Sequence, residues 1–407
     1  MPPPSAALGP FDSTAVRFGC AVLIACYAWL ILSFWAQGNG PGDFSVFWAA
    51  GRLALAGKAA AAYDWASIKQ FQPAESRVAN FCYPPFFLLA LVPFALFPFV
   101  AAAAIWLGTN LIAYLAAMRA ILPGRTATLA ALAAPTVLFN FIDGQNGLLT
   151  AGLLGAGLAL LDTRPAVAGA MIGMLAYKPQ FGILLPLFLA ATGRWRVFGS
   201  AALTVAGLAG ISLALFGSDA LAAFAHAMST ANAAYLQHGE TRQADVLGWD
   251  ELASVYGMLR ALGAGAGAAW TLHIAIAAAA ALAALRIAAG NASDALKAAM
   301  VATAALIVTP YSEVNDLAIA SVATAFLARD GLANGLRGWE AAALAGVFVL
   351  PLSYVVLPAV GSSGSSHRAW LIGPLCCGLL VAAIAWRLTG RLNTAPASLK
   401  KDAEHFL

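Results

Sequence analysis

Between Val16 and Trp386 the chain strings together about twelve apolar runs separated by short polar breaks, a pattern that belongs to helices in a bilayer. The runs are Val16–Ala36, Pro84–Phe97, Phe99–Ile121, Thr126–Phe141, Gly147–Leu161, Ala166–Ala190, Val197–Phe216, Ala269–Ala289, Ala298–Thr309, Leu317–Ala328, Trp339–Leu357 and Trp370–Trp386. Hydrophobic residues make up 61% of the chain and charged residues 10%, which excludes a soluble globular domain. The expected fold class is an all-α polytopic membrane protein, with a single integral domain over 1–407. The net charge of +4 is small and spread out, which argues against nucleic acid as a partner and leaves membrane lipids as the surroundings. Cys20, Cys26, Cys376 and Cys377 fall in apolar runs and Cys82 in a loop, a scatter that forms neither a disulfide framework nor a metal knuckle. Met1 to Ala15 lacks the basic residues of a signal peptide, so Val16–Ala36 reads as a retained first span.

Two long loops interrupt the runs, one over 37–83 and one over 217–268, and an even number of crossings lies between them. They therefore share a side, together with the late turn Pro310-Tyr311-Ser312-Glu313. Placing the tail, 391–407, in the cytoplasm collects Arg286, Lys297, Arg329, Arg337, Arg387, Arg391, Lys400 and Lys401 there against Arg368 outside. Both loops are then external, on a bacterial-type inner membrane. The second loop gathers His226, His238, Glu240, Arg242, Asp245, Asp250, Glu251 and Arg260.

In the first loop Asp43 stands at the head of an amphipathic helix. Phe44, Phe47, Trp48, Gly51 and Leu55 recur at helical spacing while Arg52 and Lys58 fall off the stripe. Such a helix is expected to lie in the membrane interface with its aromatic face in the acyl boundary and Asp43 as its N-cap. Asp43 has two readings, a plain capping residue or a carboxylate fixed at the bilayer surface for chemistry on a headgroup. Lys178, beside the helix-breaking Pro179, also has two: a phosphate ligand, or a lysine that snorkels or pairs with a carboxylate such as Asp143. Gln145 and Asn146 read as a polar turn between helices. His273 is expected to bond a backbone carbonyl, and Trp48, Trp106, Trp270 and Trp370 to anchor the interface.

The order of Gly42-Asp43-Phe44, Tyr63-Asp64, Tyr83-Pro84-Pro85-Phe86, Gly144-Gln145-Asn146, Lys178-Pro179 and Pro310-Tyr311 resembles glycosyltransferase family 87. The resemblance implies the C-type architecture, about twelve transmembrane helices with interfacial helices in the first external loop, and a sugar donor carried on a polyprenyl phosphate. Within that family the pattern is similar to the mannosyltransferases of mycobacterial phosphatidylinositol mannoside synthesis, which makes mannose the sugar to test. Where that group carries histidines in the late turn, this chain has Tyr311-Ser312-Glu313-Val314-Asn315-Asp316.

The family's catalytic carboxylate maps onto Asp43. Transfer to a hydroxyl needs a base for the acceptor proton, and a phosphate leaving group needs no acid but gains from cations. Arg52, Lys58, Lys178, Arg242 and Arg260 are the candidate cations, with the arginines favoured for bidentate contact. A single carboxylate base implies inversion, by analogy with hydrolases. A second carboxylate near Asp43 would raise its proton affinity, and Asp64, Glu240, Asp245 or Glu313 is placed to supply it. Tyr63, Tyr83 and Tyr311 join the substrate-binding set through the shared motif order. The partners expected are a polyprenyl-phosphate sugar and a lipid or glycan acceptor in cell-envelope glycolipid synthesis. No cofactor is called for, and a carboxylate-bound divalent cation fits the same loops. The competing class is a secondary transporter or carrier-lipid translocator, which should show matching broken helices in its two halves. Lys178-Pro179 has no counterpart in the second half.

Overall fold

The computed structural model describes residues 13–38, 40–72, 81–237, 252–354 and 369–394. Among them the fold is all-helical, and the one extended pairing is an isolated bridge between Leu252 and Glu313. The helices are α1 (Thr14–Ala36), α2 (Gly42–Leu55), α3 (Trp65–Lys69), α4 (Phe87–Ala95), α5 (Phe99–Ile121) and α6 (Arg125–Leu132). They continue with α7 (Pro135–Asp143), α8 (Gly147–Ala159), α9 (Pro165–Met174), α10 (Pro179–Gly182), α11 (Leu185–Ala191) and α12 (Trp195–Gln237). The C-terminal part adds α13 (Val255–Ala261), α14 (Ala266–Ala289), α15 (Asp294–Val308), α16 (Ala318–Asn334), α17 (Gly338–Val349) and α18 (Ala369–Thr394).

Five of the described helices are long and apolar enough to cross a bilayer: α1, α5, residues 195–230 of α12, α14 and residues 370–389 of α18. The pair α6 and α7, bent by 44° at Pro135, makes a sixth if it is one broken span. The structure thus identifies five or six spans where the apolar runs count about twelve. The remaining runs are cut short by proline or by polar turns. Pro179 and Pro186 break the run 166–190 into α9, α10 and α11, each of 10 residues or fewer. Helices α8 and α15 have 13 and 15 residues, about 20 Å at 1.5 Å per residue, and are covered by other helices.

Apolar runs buried on all sides form the centre, where α8, α15 and α16 lie against α5, α9, α14 and α18. Helices α1 and α12 stand outside, with Phe18, Trp29, Leu32, Leu203 and Leu215 exposed where acyl chains would cover them. The interface of α9 with α12 rests on Gly169 and Gly173, four residues apart. A Cβ on Gly173 would come within 2.7 Å of Ala201 O, and one on Gly169 would strike Val197 O. This is the small-residue spacing that lets two backbones approach in lipid. The regular helix of α12 breaks at Gly217 (φ 75, ψ 174), and its second half packs on the 3₁₀ turn Ala59–Tyr63, with Phe224 against the Tyr63 ring.

Candidate active site

Helix α2 begins after Pro41, which is its N-cap, so Asp43 occupies the first turn and is not the capping residue expected. The dipole still favours its ionised form there. The apolar stripe is also placed differently. Of that stripe Phe44, Phe47 and Gly51 are buried inside the protein and not in acyl chains, Trp48 is half-buried, and Leu55 is exposed. Phe47 packs edge-on to Tyr83 and Phe87, and Phe44 lies by Phe99 and Trp106. Trp106 is a core residue, 2% exposed, and not an interface anchor; its Nε1 donates to Gly144 O at 3.2 Å.

That bond joins α5 to the turn between α7 and α8, which packs against the start of α2. Gly144 takes a left-handed conformation (φ 80), and any Cβ there would come within 2.7 Å of Pro41 and Phe44. The close approach brings Gln145 to Asp43, and Gln145 Nε2 donates to Asp43 Oδ2 at 2.8 Å. Asn140, fully buried, fixes the same turn to a third segment. Its Nδ2 donates to Thr136 O and Asn315 O at 2.8 and 3.1 Å, while its Oδ1 accepts Leu148 N–H at 3.2 Å. Asn315 belongs to the 3₁₀ turn Val314–Leu317 that precedes α16.

The late turn carries the remaining charge. Glu313 and Asp316 cap it reciprocally, Glu313 N–H donating to Asp316 Oδ2 at 3.2 Å. Lys178, at the break before α10, pairs with Asp316 Oδ1 at 2.6 Å, and the pair is buried. Its partner is therefore Asp316 and not Asp143. Glu313 is half-buried, and loss of water pushes its carboxyl from 4.5 up to about 8, helped by Asp316 and then by Asp43 and Asp143, with Lys178 pulling the other way. Burial and the Glu313 carboxyl hold the Tyr83 phenol well above its ordinary value. Asp43, Asp143, Asp316 and Lys178 are all within electrostatic reach of Glu313, and Lys178 is paired with Asp316. Beneath them Tyr83, Phe87 and Tyr177 stack, with centroids 4.8 and 4.6 Å apart. Tyr177 Oη shares a 2.6 Å hydrogen bond with Thr150 Oγ1.

The second loop ends on this turn: Ala253 N–H donates to Ser312 O at 2.6 Å, and Ser254 Oγ to Pro310 O at 2.7 Å. Ser254 also caps α13, which carries Tyr256 and Arg260. Arg260 bonds the Tyr256 hydroxyl, and Tyr256 in turn lies within electrostatic reach of Tyr311. Burial, with Tyr256, pushes the Tyr311 phenol up to about 12.

Other sequence candidates lie apart from Asp43. Arg52, nine residues on and about 13 Å along the helix axis, donates to Ala95 O at 3.4 Å and covers the Trp48 ring. Tyr63 Oη donates to Tyr83 O at 2.9 Å, so Tyr63 supports the loop from behind. Asp64 is exposed and caps α3; the Ser67 hydroxyl, then its N–H, hold the Asp64 carboxyl below its usual value. His273 bonds Val308 O at 3.2 Å. Arg242, with His238, Glu240, Asp245, Asp250 and Glu251, lies outside the described residues. Among those described, no three His, Cys, Asp or Glu side chains cluster to hold a metal ion.

The model of glycosyltransferase family 87 matches residues 81–310, more than half of the chain. The chain belongs to glycosyltransferase family 87. It is therefore a membrane glycosyltransferase, multi-pass and helical. No curated protein and no solved structure matches it. The family match takes in Tyr83, Gln145, Lys178 and Arg260, and stops short of Asp43 at one end and Glu313 at the other. The geometry ties those two residues to the matched segment. Asn140, Asp316 and Tyr177 had no role assigned from sequence. A lone amide within the apolar run 137–141 is the one signal that marks Asn140.

Proposed function

We propose that this family-87 enzyme moves a hexose from a polyprenyl-phosphate carrier to a hydroxyl of a lipid or glycan acceptor, with Asp43 as general base. The observation that carries the reading is the Gln145–Asp43 hydrogen bond, made where the first loop, the α7–α8 turn and the late turn meet. In the step, Asp43 takes the acceptor hydroxyl proton as that oxygen bonds the anomeric carbon. The bond from that carbon to the phosphate oxygen breaks, and polyprenyl phosphate leaves with the electron pair. One displacement inverts the anomeric centre. The leaving phosphate needs a cation. Lys178 is committed to Asp316, which makes Arg260, at the end of α13, and Arg242 of the second loop the better candidates. The half-buried carboxyl groups of Asp43, Asp143 and Glu313 suit a polyhydroxyl acceptor, whose O–H groups can donate to them. Mannose is the first sugar to test, and the external face of the inner membrane the place proposed for the pocket.

The test is transfer by the purified full-length protein. Radiolabelled polyprenyl-phosphate mannose and glucose, and the matching nucleotide sugars, are each incubated with membrane lipid extract. Label should leave one of the polyprenyl carriers. Label taken from a nucleotide sugar, with both carriers left intact, would overturn the donor assignment.

A further inference from the structure

We infer that the side-chain amide of Asn146 binds hydroxyl groups of the transferred sugar; this rests on the reading of the protein as one that moves a hexose from a polyprenyl-phosphate carrier. Asn146 is 0% exposed, and neither its Nδ2 nor its Oδ1 has a hydrogen-bond partner among the described residues. It heads α8, yet its side chain does not cap that helix. The half-buried Tyr83 hydroxyl lies within electrostatic reach of the amide without completing a hydrogen bond to it. Sealing an amide away unpaired costs stability, so its presence in a native fold calls for a ligand or a buried water.

The place of the amide is set by its backbone. Asn146 O accepts from Thr150 N–H at 3.0 Å, from Thr150 Oγ1 at 3.1 Å and from Tyr177 Oη at 3.4 Å. Its N–H donates to Gln145 Oε1 at 3.4 Å, and Gln145 donates in turn to Asp43, so the amide sits one residue from the contact with the proposed base. The late turn stands against the same backbone. Asn140 holds Asn315 O and Leu148 N–H together, and any Cβ on Gly147 would strike Asn315 O. Asn315 Oδ1 and Ser312 Oγ of that turn are also buried without a partner.

The chemistry of these atoms selects the ligand. Asn146 Oδ1 and Asn315 Oδ1 can only accept, while Asn146 Nδ2 donates. The phosphodiester of a carrier-linked sugar presents acceptors alone, so it answers Nδ2 and leaves both carbonyl oxygens unpaired. The polyprenyl chain presents neither kind of group. A sugar hydroxyl both donates and accepts, and two adjacent hydroxyls serve the Nδ2 and Oδ1 of one amide together. The sugar is therefore the part of the donor that these atoms match.

The test compares the full-length protein with its Asn146→Leu variant, which keeps the branched shape and removes both polar atoms. Equilibrium binding is measured for radiolabelled polyprenyl-phosphate mannose and glucose and for polyprenyl phosphate without a sugar, alongside the thermal midpoint in detergent. Affinity for the sugar-bearing carrier that the wild type takes should fall by about ten- to a hundredfold, the worth of two hydrogen bonds. The bare carrier should bind as tightly as it does to the wild type. The midpoint should hold or rise, because an apolar side chain of the same shape leaves no polar atom unpaired. An equal loss for both carriers overturns the inference. So does an unchanged affinity for the sugar-bearing one, and a lower midpoint beside it would mark an amide held by buried water. Should Asn146→Leu fail to fold, Asn146→Ala goes through the same comparison. If the wild type binds neither sugar-bearing carrier and takes label from a nucleotide sugar, the donor assignment fails. Binding of that nucleotide sugar against the free nucleotide then decides Asn146 by the same criterion.

Discussion

Helix α16 carries a buried charge cluster at each end, about 20 Å apart along its axis, and the two are built on opposite principles. At the C-terminal end Arg387 bonds Asp330 Oδ2 and Glu340 Oε1, both at 2.9 Å. Its Nη2 also reaches Gly335 O and Glu340 Oε2, at 3.0 and 3.1 Å. Ser293 and Asn334 donate to Asp330 Oδ1, and Arg337 N–H donates to Glu340 Oε2. All four carboxylate oxygens have partners, and Arg387, Asp330 and Glu340 are all buried. The cluster joins α15, α16, α17 and α18 and is closed to substrate.

At the N-terminal end Lys178 pairs with Asp316 and Gln145 donates to Asp43, and Glu313, Asp43 and Asp143 are half-buried. Complete satisfaction makes a structural staple. Under the proposed mechanism the half-buried carboxyl groups of the other cluster are the ones that handle protons and hydroxyl groups.

The contrast breaks most readily at the staple. Arg387→Met leaves two buried carboxylates without a cation and should cost about 3–5 kcal/mol, read as a fall in the thermal midpoint of the detergent-solubilised protein. Transfer per folded molecule should be unchanged. If the midpoint holds, the C-terminal cluster is no staple.

Lys178→Met is expected to cost less, about 1–3 kcal/mol, because it removes one contact, with Asp316, where Arg387 makes four. A fall in the thermal midpoint as large as that of Arg387→Met would mean that the two clusters are built alike.

The smallest effect belongs to Glu313. Its folded carboxyl holds a proton up to about pH 8, against 4.5 for an ordinary one. Between those values the native state binds more protons than the unfolded chain, so stability falls as pH rises across the window and is level outside it. Glu313→Gln should flatten that slope in thermal midpoints taken from pH 5 to 8.

Sequence and structure agree on the helical membrane class, and the family match agrees with the motif order, because apolar runs and motifs are local properties. The partners are not local. Lys178 and Asp316 are separated by 138 positions, and their pairing is invisible in either segment alone. The stripe Phe44, Phe47, Trp48, Gly51 and Leu55 and the side chain of Trp106 read as lipid-facing in the sequence, yet Phe44, Phe47, Gly51 and Trp106 are buried in protein while Leu55 is exposed. Acyl chains and a protein interior are equally apolar, so periodicity marks a buried face without naming what buries it. Arg387 was counted as a cytoplasmic charge by the same kind of local rule, and only the fold reveals Asp330 and Glu340 around it. The count of apolar runs exceeds the five or six long apolar helices where prolines divide runs into shorter helices.

The central claim, that the open cluster is the catalytic one, is tested most directly by turnover of Asp43→Asn alongside its thermal midpoint. Asparagine keeps the size and can still accept from Gln145, and loses only the charge interaction with the first turn of α2, about 0.3–1 kcal/mol. The midpoint should therefore stay near that of the wild type while transfer falls by on the order of a hundred- to ten-thousand-fold. Transfer at a near wild-type rate would show that Asp43 is a helix-end residue and that the base lies elsewhere.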